Sequence, residues 1–241
     1  MGKRTLCIDI GGTGIKGTTY DEDGKALSER IRIPTPRPAE PEAVTAVVVE
    51  VTSRAGDYDR ISCGFPGVVR DGTVHTAPNL DGDWSGFPLA KEVEKRTGRP
   101  TRALNDAAIQ GLAVIEGKGV ELVLTLGTGL GSGLYVDGHC IPLELGHHPS
   151  GLGKDPKASY EDLVDDATRK RIGKKKWRAR VHKIVEQLLP IFNPHRLYLG
   201  GGNSARLDPS LLPDGVTLVD NSAGMLGGLK LWQAHGSWSE R

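Results

Sequence analysis

Apolar residues fall in short blocks punctuated by glycine and proline. Leu6-Cys7-Ile8-Asp9-Ile10 closes on Gly11-Gly12, the pattern of a buried strand entering a tight turn. Ile15 to Tyr20 reads as a second strand, Asp21 to Gly24 as a hairpin turn and Ser28 to Ile33 as a third strand. After a loop holding Pro34, Pro36, Pro38 and Pro41, residues Val44, Val47, Val48 and Val51 recur at helical spacing, with Pro41 in the first turn. A strand over Ile61–Gly64, a hairpin around Asp71-Gly72, a short helix at Leu89–Val93 stopped by Gly98 and Pro100, a strand over Thr101–Leu104 and a helix from Asp106 to about Glu116 complete the first half.

The second half opens in the same way. Glu121 to Leu126 is a strand, Gly127-Thr128-Gly129 a turn, Leu130 to Val136 a strand and Asp137-Gly138 a hairpin. Ile10-Gly11-Gly12-Thr13-Gly14-Ile15 and Leu126-Gly127-Thr128-Gly129-Leu130 thus form an internal repeat of strand, glycine–threonine turn and strand. Trp177, Val181, Ile184, Val185, Leu188, Leu189 and Phe192 mark a long amphipathic helix that stops at Asn193-Pro194. Arg196 to Leu199 is a strand running into Gly200-Gly201-Gly202, and Ala223 to His235 a closing helix.

Composition narrows the function. Lys and Arg number 31 and Asp and Glu 30, a net charge of +1, which excludes a protein held to nucleic acid or membrane by bulk charge. Glycine accounts for 33 of 241 residues, about twice the usual ~7%, as in a chain that brings backbone close to a ligand. Cys7, Cys63 and Cys140 are scattered and form no CxxC pair, so neither disulfides nor a cysteine zinc site are expected. With no apolar run of ~20 residues and no secretion signal at the start, the expectation is a cytoplasmic protein.

Several clusters could carry chemistry. Asp9 stands beside Gly11, Gly12 and Thr13, whose amides could wrap phosphate oxygens while the carboxylate holds Mg²⁺ through water; Lys16 would add a positive charge. The alternative is a hairpin that merely needs glycine, and the repeat at Gly127, Thr128 and Gly129 favours phosphate. Gly12-x-Gly14-x-x-Gly17 matches the dinucleotide fingerprint, but a strand follows it where that site needs a helix. No P-loop motif is present. Asn105-Asp106 opens a helix, either as its cap or as a strand-end carboxylate able to take a proton from a hydroxyl. Glu144 and His147 could hydrogen-bond neighbouring hydroxyls of a polyol. Residues 169–180 hold eight basic residues and no acidic one, including Arg169, Lys170, Arg171, Lys174, Lys175 and Lys176: a solvated face or a polyanion track.

Together these residues resemble the ROK family of sugar kinases (repressors, open reading frames, kinases), within the actin-like phosphotransferases. The resemblance runs through Asp9-Ile10-Gly11-Gly12-Thr13, Phe65-Pro66-Gly67, Asn105-Asp106-Ala107, Leu126-Gly127-Thr128-Gly129-Leu130-Gly131, Glu144-Leu145-Gly146-His147 and Leu199-Gly200-Gly201-Gly202. It implies an α/β, two-domain, ribonuclease H-like fold with an interdomain cleft: a small domain over 1–104, a large one over 105–222, and a helix at about 223–235 returning to the first. It further implies Asp106 as the base that activates a sugar 6-hydroxyl, with Asn79, Asn105, Glu144 and His147 on the sugar hydroxyls and Glu161 matching a second sugar-binding glutamate. Gly200, Gly201 and Gly202 would lie against adenosine. The family's zinc cysteines are missing after His147, so no structural zinc is expected, and the chain starts at the phosphate turn without a DNA-binding segment. Ile33-Pro34-Thr35-Pro36, Phe65-Pro66-Gly67-Val68-Val69 and Gly153-Lys154-Asp155 resemble the polyphosphate glucokinases within the family. That implies glucose phosphorylated from polyphosphate, ATP or both, with Mg²⁺, by a homodimer without nucleic-acid or membrane partners. Alternatives are an ATP-only kinase for mannose, fructose or an N-acetyl amino sugar, a sugar-binding regulator without catalysis, and a nucleic-acid binder acting through 169–180.

Overall fold

A computed structural model describes residues 2–153, 155–220 and 224–233. The chain divides into two compact units, one made of the residues up to Ala113 and the segment from Gly224 onward, the other of the stretch from Val114 to that segment. The first unit thus continues past residue 104, through the helix that begins at Asp106.

The first unit runs β1 (Thr5–Ile10), β2 (Ile15–Tyr20), β3 (Ile31–Ile33), α1 (Pro41–Arg54), β4 (Arg60–Phe65), β5 (Val69–Arg70), β6 (Thr73–Val74), α2 (Leu89–Thr97), β7 (Thr101–Asn105) and α3 (Asp106–Leu112). Its sheet has the order β3-β2-β1-β4-β7. The β1–β2 and β2–β3 pairs are antiparallel, the β1–β4 and β4–β7 pairs parallel. Central β1 is apolar on both faces, so all its residues but Asp9 are buried. Val44, Val48 and Val51 of α1 join Leu6, Ile10, Ile61 and Phe65 in one core, each such side chain stabilising the unit by about 1.5–3 kcal/mol. A Cβ at Gly17 would stand 2.5 Å from Val51 Cγ1, so this glycine serves the packing of α1 on β2.

The C-terminal segment completes this unit. Ser62 Oγ donates to Gly228 O at 2.6 Å, Trp232 Nε1 to Ser62 Oγ at 2.8 Å and Arg102 Nη1 to Leu231 O at 2.8 Å. Instead of a continuous helix from 223 to 235, the described residues form a 3₁₀ turn, Gly224–Leu226, and a short helix, Gly227–Lys230; Ala223 and the positions from 234 lie outside them. Gly227-Gly228 is poor helix-forming sequence, kept because a Cβ at Gly227 would fall 1.7 Å from Ile109 O.

The second unit contains β8 (Val120–Leu126), β9 (Leu130–Val136), β10 (His139–Ile141), α4 (Tyr160–Val164), α5 (Asp166–Ile172), α6 (Lys174–Phe192), β11 (Arg196–Gly200) and β12 (Val216–Leu218). Its order is β10-β9-β8-β11-β12, again two antiparallel and then two parallel pairs. The repeat seen in the two glycine turns therefore extends to the whole sheet. Trp177, Ile184, Val185 and Leu188 of α6 pack on Leu122, Leu124 and Leu199, and Trp177 Nε1 donates to Val164 O at 2.8 Å.

Other departures from the sequence reading have local causes. Helix α3 stops at Leu112 rather than near Glu116. The buried Glu121 carboxylate accepts from the N–H groups of Glu116 (2.8 Å), Gly117 (2.7 Å) and Lys118 (3.1 Å) and from Tyr198 Oη (2.9 Å), drawing those amides out of a helical pattern. Strand β3 begins at Ile31 instead of Ser28. Asp71-Gly72 and Asp137-Gly138 are the expected hairpins, with positive φ at both residues of each pair.

Candidate functional site

In the first unit, the parallel strands β1, β4 and β7 end on one edge of the sheet, where α/β folds bind ligands. Asp9 pairs in register with Gly64 of β4, and a Cβ at Gly64 would lie 3.4 Å from Asp106 Cα. Asp9 and Asp106 thus both lie beside Gly64. Asn105 is the N-cap of α3: Oδ1 accepts from Ala108 N at 3.0 Å and Nδ2 donates to Gly67 O at 3.1 Å. The capping reading of this motif therefore holds for Asn105, which fixes Asp106 at the first helical position. Asp106 Oδ1 accepts from Ala107 N at 2.7 Å. The loop carrying Asn79 reaches the first glycine turn, since a Cβ at Gly12 would lie 3.7 Å from Asn79 O.

The turn itself closes from Gly11 N–H to Gly14 O at 3.2 Å. Lys16 lies directly across the hairpin from Asp9, and its Nζ meets Asp9 Oδ2 at 3.1 Å, so the two expected phosphate and metal groups neutralise each other here. Three residues missed in the sequence surround the turn. Thr35 Oγ donates to Gly11 O at 2.5 Å, Arg37 Nη2 to Gly12 O at 2.9 Å, and Arg32 Nη2 reaches Thr13 O at 3.5 Å. Asp81 accepts from Arg37 Nη1 at 3.2 Å and from Ala39 N at 2.7 Å, and that amide, with the guanidinium, holds its carboxyl below the usual range. The alternation Pro34-Thr35-Pro36-Arg37-Pro38 was the available signal.

In the second unit, the parallel strands β8 and β11 end together. Gly127 N–H donates to Gly129 O at 3.0 Å, closing the second turn. Gly200-Gly201-Gly202 packs beside it: a Cβ at Gly201 would fall 2.4 Å from Leu126 N, and Asn203 Nδ2 donates to Gly127 O at 3.2 Å. Thr128 is exposed, and its carbonyl accepts from Asp166 N at 3.4 Å. Glu161, in the first turn of α4, accepts from Leu130 N at 2.9 Å and lies against Gly129. Burial raises the Glu144 carboxyl, His147 opposes that and Glu161 adds to it, so these three expected sugar residues share one environment. The Ser159–Asp162 capping box starts α4.

The basic run divides at Gly173 between α5 and α6. Arg169 and Lys170 both pair with Asp166 at 2.7 Å, which holds that carboxyl far below its usual range, and Arg171 donates to Thr168 Oγ1. Lys174, Lys175 and Lys176 are exposed in the first turn of α6. Among the described residues, no group of three or more His, Cys, Asp or Glu is placed to hold a metal ion, and no helix is long and apolar enough to cross a membrane.

Duplicated mixed sheets, each with a glycine turn between its first two strands, are the frame of the actin-like sugar kinases. The ROK family glucokinase from Streptomyces griseus, solved with glucose and AMPPNP, shares this fold with a TM-score of 0.73 at 21% identity over 95% of this chain and 98% of that one. Residues 5–150 match the ROK family, and the chain belongs to it. It is 34% identical over 235 residues to a Mycobacterium tuberculosis polyphosphate glucokinase, across 91% of this chain and 88% of that protein. The inorganic polyphosphate/ATP-glucomannokinase of Arthrobacter sp. strain KM superimposes with a TM-score of 0.80 at 33% identity, across 97% of this chain and 100% of that one. The protein is accordingly a ROK sugar kinase, a phosphotransferase with an alcohol group as acceptor.

Proposed function

We propose that the chain is a glucokinase that transfers a phosphoryl group from inorganic polyphosphate or ATP to the 6-hydroxyl of glucose. The observation that carries this reading is the near full-length similarity to a polyphosphate glucokinase. It is supported by Asp106 at the start of α3, on the sheet edge shared with the Asp9 turn. Asp106 takes the proton of the 6-hydroxyl as that oxygen attacks the terminal phosphorus. The bond to the donor's bridging oxygen breaks, releasing ADP or a polyphosphate one unit shorter. Asn79, Glu144, His147 and Glu161 hold sugar hydroxyls, joined by Asn105 through the amide hydrogen and lone pairs its capping bonds leave over.

The turns at Gly11, Gly12 and Thr13 and at Gly127, Thr128 and Gly129 receive donor phosphates together with Lys16, and Gly200, Gly201 and Gly202 lie against adenosine when ATP is used. Of the basic run, Lys174, Lys175 and Lys176 are the residues best suited to a polyphosphate track, because Arg169 and Lys170 already face Asp166. Mg²⁺ would be held at Asp9 through water and would neutralise charge on the donor phosphates. A single half-buried carboxylate suits an ion that keeps several waters and takes other ligands from phosphate. The working form is a cytoplasmic homodimer, which sedimentation of the purified protein tests.

A second reading, a kinase whose preferred acceptor is another hexose, is favoured by the glucomannokinase match, since that enzyme's name includes mannose. The deciding experiment measures sugar 6-phosphate formed with Mg²⁺ from glucose and from mannose, with ATP and long-chain polyphosphate in parallel. Product from polyphosphate and glucose supports the proposal. Product from ATP alone leaves a kinase but removes the polyphosphate donor, and a strong preference for mannose replaces the acceptor.

A further inference from the structure

The first glycine turn is held from outside by its oxygens. Thr35, Arg37 and Arg32 donate to the carbonyls of Gly11, Gly12 and Thr13, three consecutive peptide units reached from one short segment. In a trans peptide the C=O and N–H groups point in opposite directions. Fixing these three oxygens therefore turns the N–H groups of Gly12, Thr13 and Gly14 away from the segment. Successive main-chain N–H groups facing one way form an anion-binding concavity.

The segment is built to stay in place. Pro34, Pro36 and Pro38 alternate with Thr35 and Arg37 and fix every second φ. Thr35 is buried at 7% exposure, and Asp81 ties Arg37 and the Ala39 amide to one carboxylate. Arg32 stacks over Gly14, where a Cβ would come within 3.0 Å of its guanidinium, and it has no acidic partner among the described residues. The amides of the turn are thus already aimed before a polyanion arrives, which lowers the ordering cost of binding it.

We propose that residues 32–37 form a clamp that pre-orients the Gly11–Gly14 amides for the donor's phosphates, with Thr35 and Arg37 as its positioning residues. The inference rests on the kinase reading and deepens it, since it assigns donor recognition to a segment outside both glycine motifs.

The test compares Thr35→Val, Thr35→Ser, Arg37→Gln and Arg37→Lys with the wild type. Michaelis constants for polyphosphate and for glucose are measured, and tripolyphosphate binding is followed by calorimetry without sugar. Loss of one oriented hydrogen bond predicts that Thr35→Val and Arg37→Gln raise the donor KM and the tripolyphosphate Kd about 5- to 10-fold. The glucose KM should stay within about twofold, and Thr35→Ser and Arg37→Lys, which keep a donor, should recover most of the loss. Unchanged donor constants in both variants, or equal rises for donor and glucose, overturn the clamp. Should Thr35→Val fail to fold, Arg37→Gln, at an exposed side chain, carries the comparison. A wild type that forms no product from any donor overturns the kinase reading and the clamp with it. An active wild type with unaltered donor constants in the variants overturns the clamp alone.

Discussion

Replacing Gly129 by alanine tests whether the second glycine turn and Glu161 are one structural device. A Cβ there would stand 2.0 Å from Glu161 Oε2, where ordinary contact begins near 3.4 Å, so the carboxylate must withdraw by about 1.4 Å, the difference between the two. That oxygen holds Leu130 N at 2.9 Å, and the hydrogen bond cannot survive such a shift. Losing a charge-assisted bond costs about 1.5–3 kcal/mol. Alanine offsets about 0.4–1 kcal/mol by stiffening the unfolded chain, because Gly129 is not in the left-handed region. The net expectation is a loss of about 1–2 kcal/mol. Urea unfolding of the wild type, Gly129→Ala, Glu161→Ala and the double variant completes a cycle. Without the Glu161 carboxylate the new methyl has nothing to strike, and the penalty should vanish. A penalty of the same size in both backgrounds would refute the reasoning.

Asp106→Asn should lower turnover at least ~10²-fold while glucose binding by calorimetry changes little; near wild-type turnover would end its assignment as base. Burial raises the Glu144 carboxyl, so its ionised form appears only above the ordinary range of about 4.3. Any stability it contributes is present at low pH and lost as pH climbs through the raised value, and kcat/KM for sugar should rise over the same window. Glu144→Gln should flatten both profiles, and an unchanged acid limb would exclude Glu144 from sugar binding. Glu121→Gln replaces an acceptor of four hydrogen bonds by a group with a single acceptor oxygen, and should cost about 2–4 kcal/mol in urea unfolding. An unmoved midpoint would show that the 116–118 loop is held by something else.

Much of the frame was legible because its causes are local. The block Leu6–Ile10 before two glycines, the Val44–Val48–Val51 stripe and the apolar face of Trp177 to Leu188 each announce an element through their own spacing. Asn105 as a cap was readable for the same reason. What escaped depends on partners far along the chain. The bonds from Thr35 and Arg37 to the turn span 24 and 25 residues and leave no periodic trace. The shortening of α3 follows from Glu121, a charged residue that pattern reading places on a surface but that lies fully buried under four donors. The pairing of Lys16 with Asp9 needed the hairpin register, and the division of the basic run needed the turn at Gly173. In both places a carboxylate, Asp9 or Asp166, already partners cations that the bare sequence leaves unpaired.

The first unit is discontinuous, and this bears on how the protein is born. Its sheet is translated first, yet Ser62, Arg102 and Cys7 wait for Gly228, Leu231 and Trp232 at the far end of the chain. The second unit is a single uninterrupted stretch with its own core, so it has all its residues while the earlier-made half still lacks its last piece. On the ribosome, the order of completion is therefore the reverse of the order of synthesis. A premature stop before Gly228 would leave the later-made half whole and strike the half that carries Asp9 and Asp106.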